Sequence, residues 1–138
     1  MSNQLSTMEP DFFYEITGEA MKVHAKFKPG LLESAYEAAL KYLLEQKGYK
    51  VSRQVLVPVY WDDVPLEQSY RLDLLVNDQV IIELKAVSYI ETDHRRQLWN
   101  YMNLTHIPYG ILINFGCDHL YTEYYYRDSS TAQIIKAK

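Results

Sequence analysis

At 138 residues, the chain has room for one hydrophobic core. Its 48% hydrophobic and 23% charged residues exclude collagen-like, disordered and disulfide-scaffold classes, and its one cysteine, Cys117, excludes an internal disulfide and a thiolate-rich metal site. No apolar run approaches the roughly 18 residues of a membrane span, and the polar start Met1-Ser2-Asn3-Gln4 lacks a signal-peptide segment, so a cytoplasmic protein without a membrane partner is expected. A first helix is predicted from about Asp11 to Lys26, because Phe13, Ile16, Ala20, Val23 and Phe27 recur at spacings of three and four. Pro29-Gly30 ends it. A second helix follows from about Leu31 to Gln46, with Leu32, Ala35, Tyr36, Ala39, Leu40, Leu43 and Leu44 on its apolar side and Gly48 as its stop.

After Gly48 the period becomes two: Val51, Val55, Val57 and Val59 point one way, Ser52, Gln54 and Leu56 the other. Asp62-Asp63-Val64-Pro65 reads as a turn and Ser69 to Val76 as a second strand, with no firm inward face. Asn77-Asp78 supplies residues that tolerate the positive φ of a tight hairpin loop. The third strand, Gln79 to Val87, is nearly all apolar, as for a strand covered on both faces. A third helix is expected from about Thr92 to Leu104, capped by Thr92 or Asp93, then strands at Tyr109 to Phe115 and His119 to Tyr126 and a short polar tail from about 127 to 138. Strand, crossover helix and strand call for parallel pairing, whereas the two preceding hairpin strands pair antiparallel. The fold class is therefore α/β, a mixed central sheet flanked by helices.

Charge is unevenly spread. From Gly18 to Arg53 seven Lys/Arg face four carboxylates, a local +3; from Gln54 to Asp93 two face eight, a local −6. Segregation alone is an ordinary solvated surface, and only motifs can promote it to a phosphate-facing flank beside a cation-binding sheet.

Within the apolar third strand sit Glu83 and Lys85, two apart and so on one face. Counting back from Asn77-Asp78 places Asp73 near Glu83 across the hairpin. Neighbouring carboxylates repel and desolvate each other, and a hard divalent cation relieves that cost. A lysine beside them can steady a phosphate oxygen, the combination used in metal-assisted phosphodiester cleavage. The bland alternative is a salt-bridge cluster on an exposed strand, worth ~0–1 kcal/mol. The surrounding apolar run disfavours it, because charges rarely sit in a doubly covered strand unless paired or bound. The histidines His24, His94, His106 and His119 have no short ligand spacing and read as surface or core polar residues. Tyr121 to Tyr126 reads as a half-buried strand or oligomer contact rather than a base-stacking surface.

These residues resemble the restriction-endonuclease-like PD-(D/E)-x-K nucleases, and more closely the small prokaryotic family named after its GxxExxY motif. The matching segments are Gly30-Leu31-Leu32-Glu33-Ser34-Ala35-Tyr36, Tyr70 to Val76, Val80 to Val87, Gln97 to Tyr101 and Gly110 to Phe115. Leu72 stands where the superfamily's name has proline. The resemblance implies a single restriction-endonuclease-like domain over residues 1–138, with core motifs in 30–115. It makes Asp73 and Glu83 ligands of Mg²⁺ or Mn²⁺, with the Leu84 backbone carbonyl as a further oxygen, Lys85 the catalytic lysine and Glu33 an additional acidic residue aimed at the metal. Gln97 and Tyr101 resemble the Gln-x-x-x-Tyr element of RecB-like and Cas4-like nucleases. Arg71 is left between pairing with the neighbours of Asp73 and contacting a phosphate. The function implied is metal-dependent hydrolysis of phosphodiester bonds in DNA. The rivals are a binding module of the same fold that cleaves nothing, partnered by nucleic acid or protein, and a structural homodimer.

Overall fold

The computed structural model describes residues 11–137. These residues form nine elements, the first eight in the predicted order: α1 (Asp11–Phe27), α2 (Glu33–Gln46), β1 (Val51–Trp61), β2 (Val64–Val76), β3 (Val80–Lys85), α3 (Thr92–Thr105), β4 (Tyr109–Asn114), β5 (Tyr121–Arg127) and β6 (Ile134–Ala137). The strands form one sheet in sequential order, antiparallel throughout except for the parallel pair β3–β4 that α3 connects. This is the mixed α/β architecture of a restriction-endonuclease-like fold. Among the described residues no helix is long and apolar enough to cross a membrane.

The sheet is covered on both faces. Phe13, Ile16, Ala20 and Val23 of α1 and Tyr36, Leu40 and Leu44 of α2 pack on Leu74, Val76, Ile82, Leu84, Ile111 and Ile113. Leu98, Tyr101 and Met102 of α3 pack on Ile81, Leu112 and Tyr125 from the other side. Alternation along β3 thus sends Ile82 and Leu84 to one helical layer and Ile81, Glu83 and Lys85 to the other.

Between α1 and α2 the chain turns through two left-handed residues, Lys28 (φ 58°) and Gly30 (φ 121°), the latter a conformation that glycine adopts without strain. Tyr36 ties this turn down. Its hydroxyl donates to the Lys28 carbonyl (2.5 Å) and accepts from the Leu31 N–H (3.0 Å), and its ring stacks on Phe115 at 4.6 Å. Consequently α2 starts at Glu33, two residues after the expected Leu31, and Leu32, predicted on the apolar side, is 79% exposed.

Further boundaries differ for physical reasons. β2 begins at Val64 rather than Ser69, because Val64 and Pro65 pair with Trp61 and Tyr60 in a long arm whose residues 61–71 are all exposed. β3 ends at Lys85, where the buried Asn114 side chain takes over the backbone of Val87, accepting from its N–H and donating to its carbonyl, both at 3.0 Å. Gly116 fits beside this crossing because it lacks a side chain: a Cβ there would lie 2.3 Å from the Val87 carbonyl oxygen. The N-cap of α3 is Glu91, not Thr92 or Asp93, in a capping box with His94. The expected polar tail is instead strand β6. Ile134 and Ile135 are half-buried, and pairing with β5 satisfies backbone groups that an edge would leave open.

Candidate active site

The ladders on both sides of β2 skip Asp73. Pairing with β1 passes from Arg53↔Leu74 to Val55↔Leu72, and pairing with β3 stops at Leu74↔Ile82. Gln54, opposite Asp73 in this register, has φ 55°. The packing changes sides at the same place: Leu74 and Val76 belong to the α1–α2 core and Leu72 to the α3 core. A buried backbone N–H released from a ladder requires another partner. That of Asp73 donates to Glu83 Oε2 (3.1 Å), while the Leu84 N–H donates to Asp73 Oδ2 (2.9 Å). The two carboxylates therefore replace missing rungs of the sheet and are held face to face where the strands part.

This placement is electrostatically costly. Burial first, and then the Asp73 carboxylate, push the Glu83 carboxyl up to about 8. Asp73 is also raised, by burial and by Glu37 and Glu33 against the opposing pull of the Leu84 N–H and Lys85. Lys85 lies beside the pair, its Nζ donating to Gln97 Oε1 (2.6 Å), and Gln97 Nε2 donates to the Tyr101 hydroxyl (3.1 Å). Gln97 and Tyr101, one turn apart on α3, thus fix the lysine from the opposite layer.

Glu33 is exposed at the start of α2 and reaches Asp73 only as a distant charge. One turn later, Glu37 is buried, accepts from Arg53 Nε (2.5 Å) and Gln54 Nε2 (3.0 and 3.1 Å), and acts on Asp73 more strongly. Sequence reasoning missed Glu37 and Gln54. The available signal was that Glu37 shares a helical stripe with Leu40 and Leu44. Arg71 is exposed on β2 opposite Leu56. Leu84 buries its side chain in the core and offers its backbone to the site.

Among the described residues no group of three or more His, Cys, Asp or Glu side chains is gathered for metal binding. The acidic centre is the Asp73–Glu83 pair. Its donors are hard carboxylate oxygens, desolvated and mutually repelling, which is chemistry that fits a hard divalent cation.

A family model described as the PD-(D/E)XK nuclease superfamily matches residues 10–127. No curated protein and no solved structure matches the chain. The matched segment contains β1 to β5, the three helices of the described residues, and Asp73, Glu83 and Lys85. The chain belongs to the PD-(D/E)XK nuclease superfamily.

Proposed function

We propose that the protein is a nuclease of the GxxExxY type that hydrolyses phosphodiester bonds in DNA, using Mg²⁺ or Mn²⁺ held by Asp73, Glu83 and the Leu84 carbonyl. The observation that carries this reading is the reciprocal bonding of Asp73 and Glu83 to each other's strands, which confines two carboxylates where the sheet opens. Nucleases of the superfamily generally use divalent metals. Such an ion, when bound, lowers the pKa of a coordinated water and neutralises charge on the phosphate.

The chain's own groups divide the remaining work. The Lys85 ammonium, beside the pair, stabilises the negative charge that builds on the phosphate as water adds to phosphorus and the bond to the leaving sugar oxygen breaks. Gln97 orients that amine and Tyr101 orients Gln97. Glu37, held by Arg53 and Gln54, keeps the field around Asp73 negative and is a better candidate than the exposed Glu33 for the additional acidic residue. Arg71, exposed on the arm, is available to the substrate's phosphates. The reading places the activity in a single domain in the cytoplasm, with a second copy or a protein partner supplying specificity.

Cleavage of single- and double-stranded DNA, measured with Mg²⁺, with Mn²⁺ and with chelator, tests it. Metal-dependent cleavage that disappears in Asp73→Asn is expected. Salt-dependent DNA binding without turnover under any of these conditions would replace the nuclease with a binding module.

A further inference from the structure

We infer that the groove between the β1–β2 arm and α3 is a subsite for one unpaired nucleobase next to the phosphate being cut, so that the preferred substrate is single-stranded or locally opened DNA. The inference rests on the nuclease reading for its orientation and on the groove itself for its chemistry. The cavity has a volume of about 600 Å³ and is lined by Val59 and Tyr70 of the arm and by Arg96, Gln97, Asn100 and Tyr101 of α3. That size falls within the roughly 300–1,000 Å³ of small-molecule sites.

Three observations point to a base. Tyr70 is 43% exposed and its ring lies 5.9 Å from that of the buried Tyr101, so one phenol is backed by the core while the other offers a free face for stacking. Asn100 is exposed in the same lining, and an amide both donates and accepts, as the edge of a base requires. Arg96 pairs with Asp93 at 3.2 Å, but both side chains are solvent-exposed, a pairing that holds its members weakly and leaves the guanidinium available to a flanking phosphate.

The groove is also joined to the reacting centre. Tyr101 and Gln97 line it, and Gln97 Oε1 accepts from Lys85 Nζ. A base seated against Tyr70 and Tyr101 therefore has its own phosphates within reach of Lys85. A base inside a duplex has both faces stacked and its edge paired, and cannot use a ring face and an amide at once. The groove selects a base already out of the stack.

The test uses the full chain and a short single-stranded deoxyoligonucleotide carrying 2-aminopurine, with its duplex as reference, in chelator so that metal-dependent cleavage cannot run. The wild type is expected to quench the 2-aminopurine on binding and to bind the single strand roughly tenfold more tightly than the duplex, on the scale of one stacked base. Tyr70→Ala and Asn100→Ala, both exposed positions, should each lose most of that preference, and Tyr70→Phe should keep it. Melting temperatures close to the wild type establish that the variants fold. Parallel cleavage assays with Mg²⁺ and Mn²⁺ separate the two ideas. Tyr70-dependent binding of the single strand without any cleavage upholds the groove and removes the nuclease. Cleavage by a wild type whose Tyr70→Ala and Asn100→Ala variants bind strand and duplex as it does, or a wild type that leaves 2-aminopurine unquenched, overturns the groove.

Discussion

Glu83 and Glu123 occupy one row of the sheet on the α3 face, Glu83 and Glu123 each standing directly across from Leu112, and each is 1% exposed. Their surroundings are opposite. Glu123 accepts from Arg95 Nε and Nη2 at 2.7–3.0 Å and from the hydroxyls of Tyr121 and Tyr125, and although burial opposes ionisation these partners hold its carboxyl down to about 2. Glu83 faces Asp73 instead, and the nearest cation, Lys85, is bonded to Gln97, so burial and repulsion lift its carboxyl to about 8. The same fold thus contains one buried acid held ionised by its partners and another that burial and a neighbouring carboxylate keep from ionising. A sheet that seats Arg95 over Glu123 gives the Asp73–Glu83 pair no such partner, and the proposed cation would supply it.

The sharpest way to break this comparison is to remove the cation beside Glu83. Lys85→Ala is expected to lower cleavage by roughly 10²–10³-fold, the loss typical of a group that stabilises transition-state charge, with the melting temperature little changed. Single-turnover cleavage alongside thermal unfolding measures both. If Lys85 serves only as a salt-bridge partner, the outcome reverses, with stability falling and turnover surviving.

Neutralising the two acids should move stability in opposite directions. Glu123→Gln leaves Arg95 without its carboxylate and is expected to cost roughly 3 kcal/mol in urea unfolding. Glu83→Gln in chelator should leave the protein equally or more stable, because it removes a carboxyl that folding must either protonate or hold charged beside Asp73. The pH dependence carries the same contrast. Glu83 titrates in the fold at about 8, above its ordinary 4.5, so its protonated form contributes stability that is complete below 4.5 and lost as pH rises through about 8. Glu123, depressed from 4.5 to about 2, contributes stability above 4.5 that is lost as pH falls toward 2. Urea midpoints of the metal-free wild type and Glu83→Gln across pH 4.5 to 8 should differ in slope, and equal slopes would place the charge burden elsewhere.

Metal should reach only one of the regions. Free Mg²⁺ or Mn²⁺ at a hundred times its dissociation constant stabilises a native state that alone binds it by about 2.7 kcal/mol. The resulting rise in melting temperature, read at fixed ionic strength, should shrink in Asp73→Asn and Glu83→Gln and persist in Glu123→Gln. The smallest expected effect belongs to the support of Lys85. Gln97→Ala releases the amine from its 2.6 Å bond and should slow cleavage by roughly tenfold through misplacement, leaving the metal-induced stabilisation intact.

Local sequence determined much of this protein. Helical periodicity placed α1, α2 and α3, the apolar run of Val80 to Leu84 announced a strand covered on both faces, and Asn77-Asp78, with φ of 52° and 56°, closed the hairpin that brings Asp73 beside Glu83. These features depend on near neighbours in the chain, so spacing and residue type suffice to read them. Tertiary structure decided the rest. Leu72 and Leu74 share a parity but lie in different cores, because the strand changes sides at Asp73 where two ladders lapse, and a rule of period two assumes an unbroken pleat. Glu37 rather than Glu33 became the buried acid because Tyr36 bonds back to Lys28 and Leu31, delaying α2 and leaving Leu32 and Glu33 outside. Glu83 and Glu123 look alike as isolated glutamates in apolar or aromatic strands. Only the packing of α3, which sets Arg95 over one and Gln97 beside the lysine of the other, made the first an acid without a balancing charge and the second a closed ion pair.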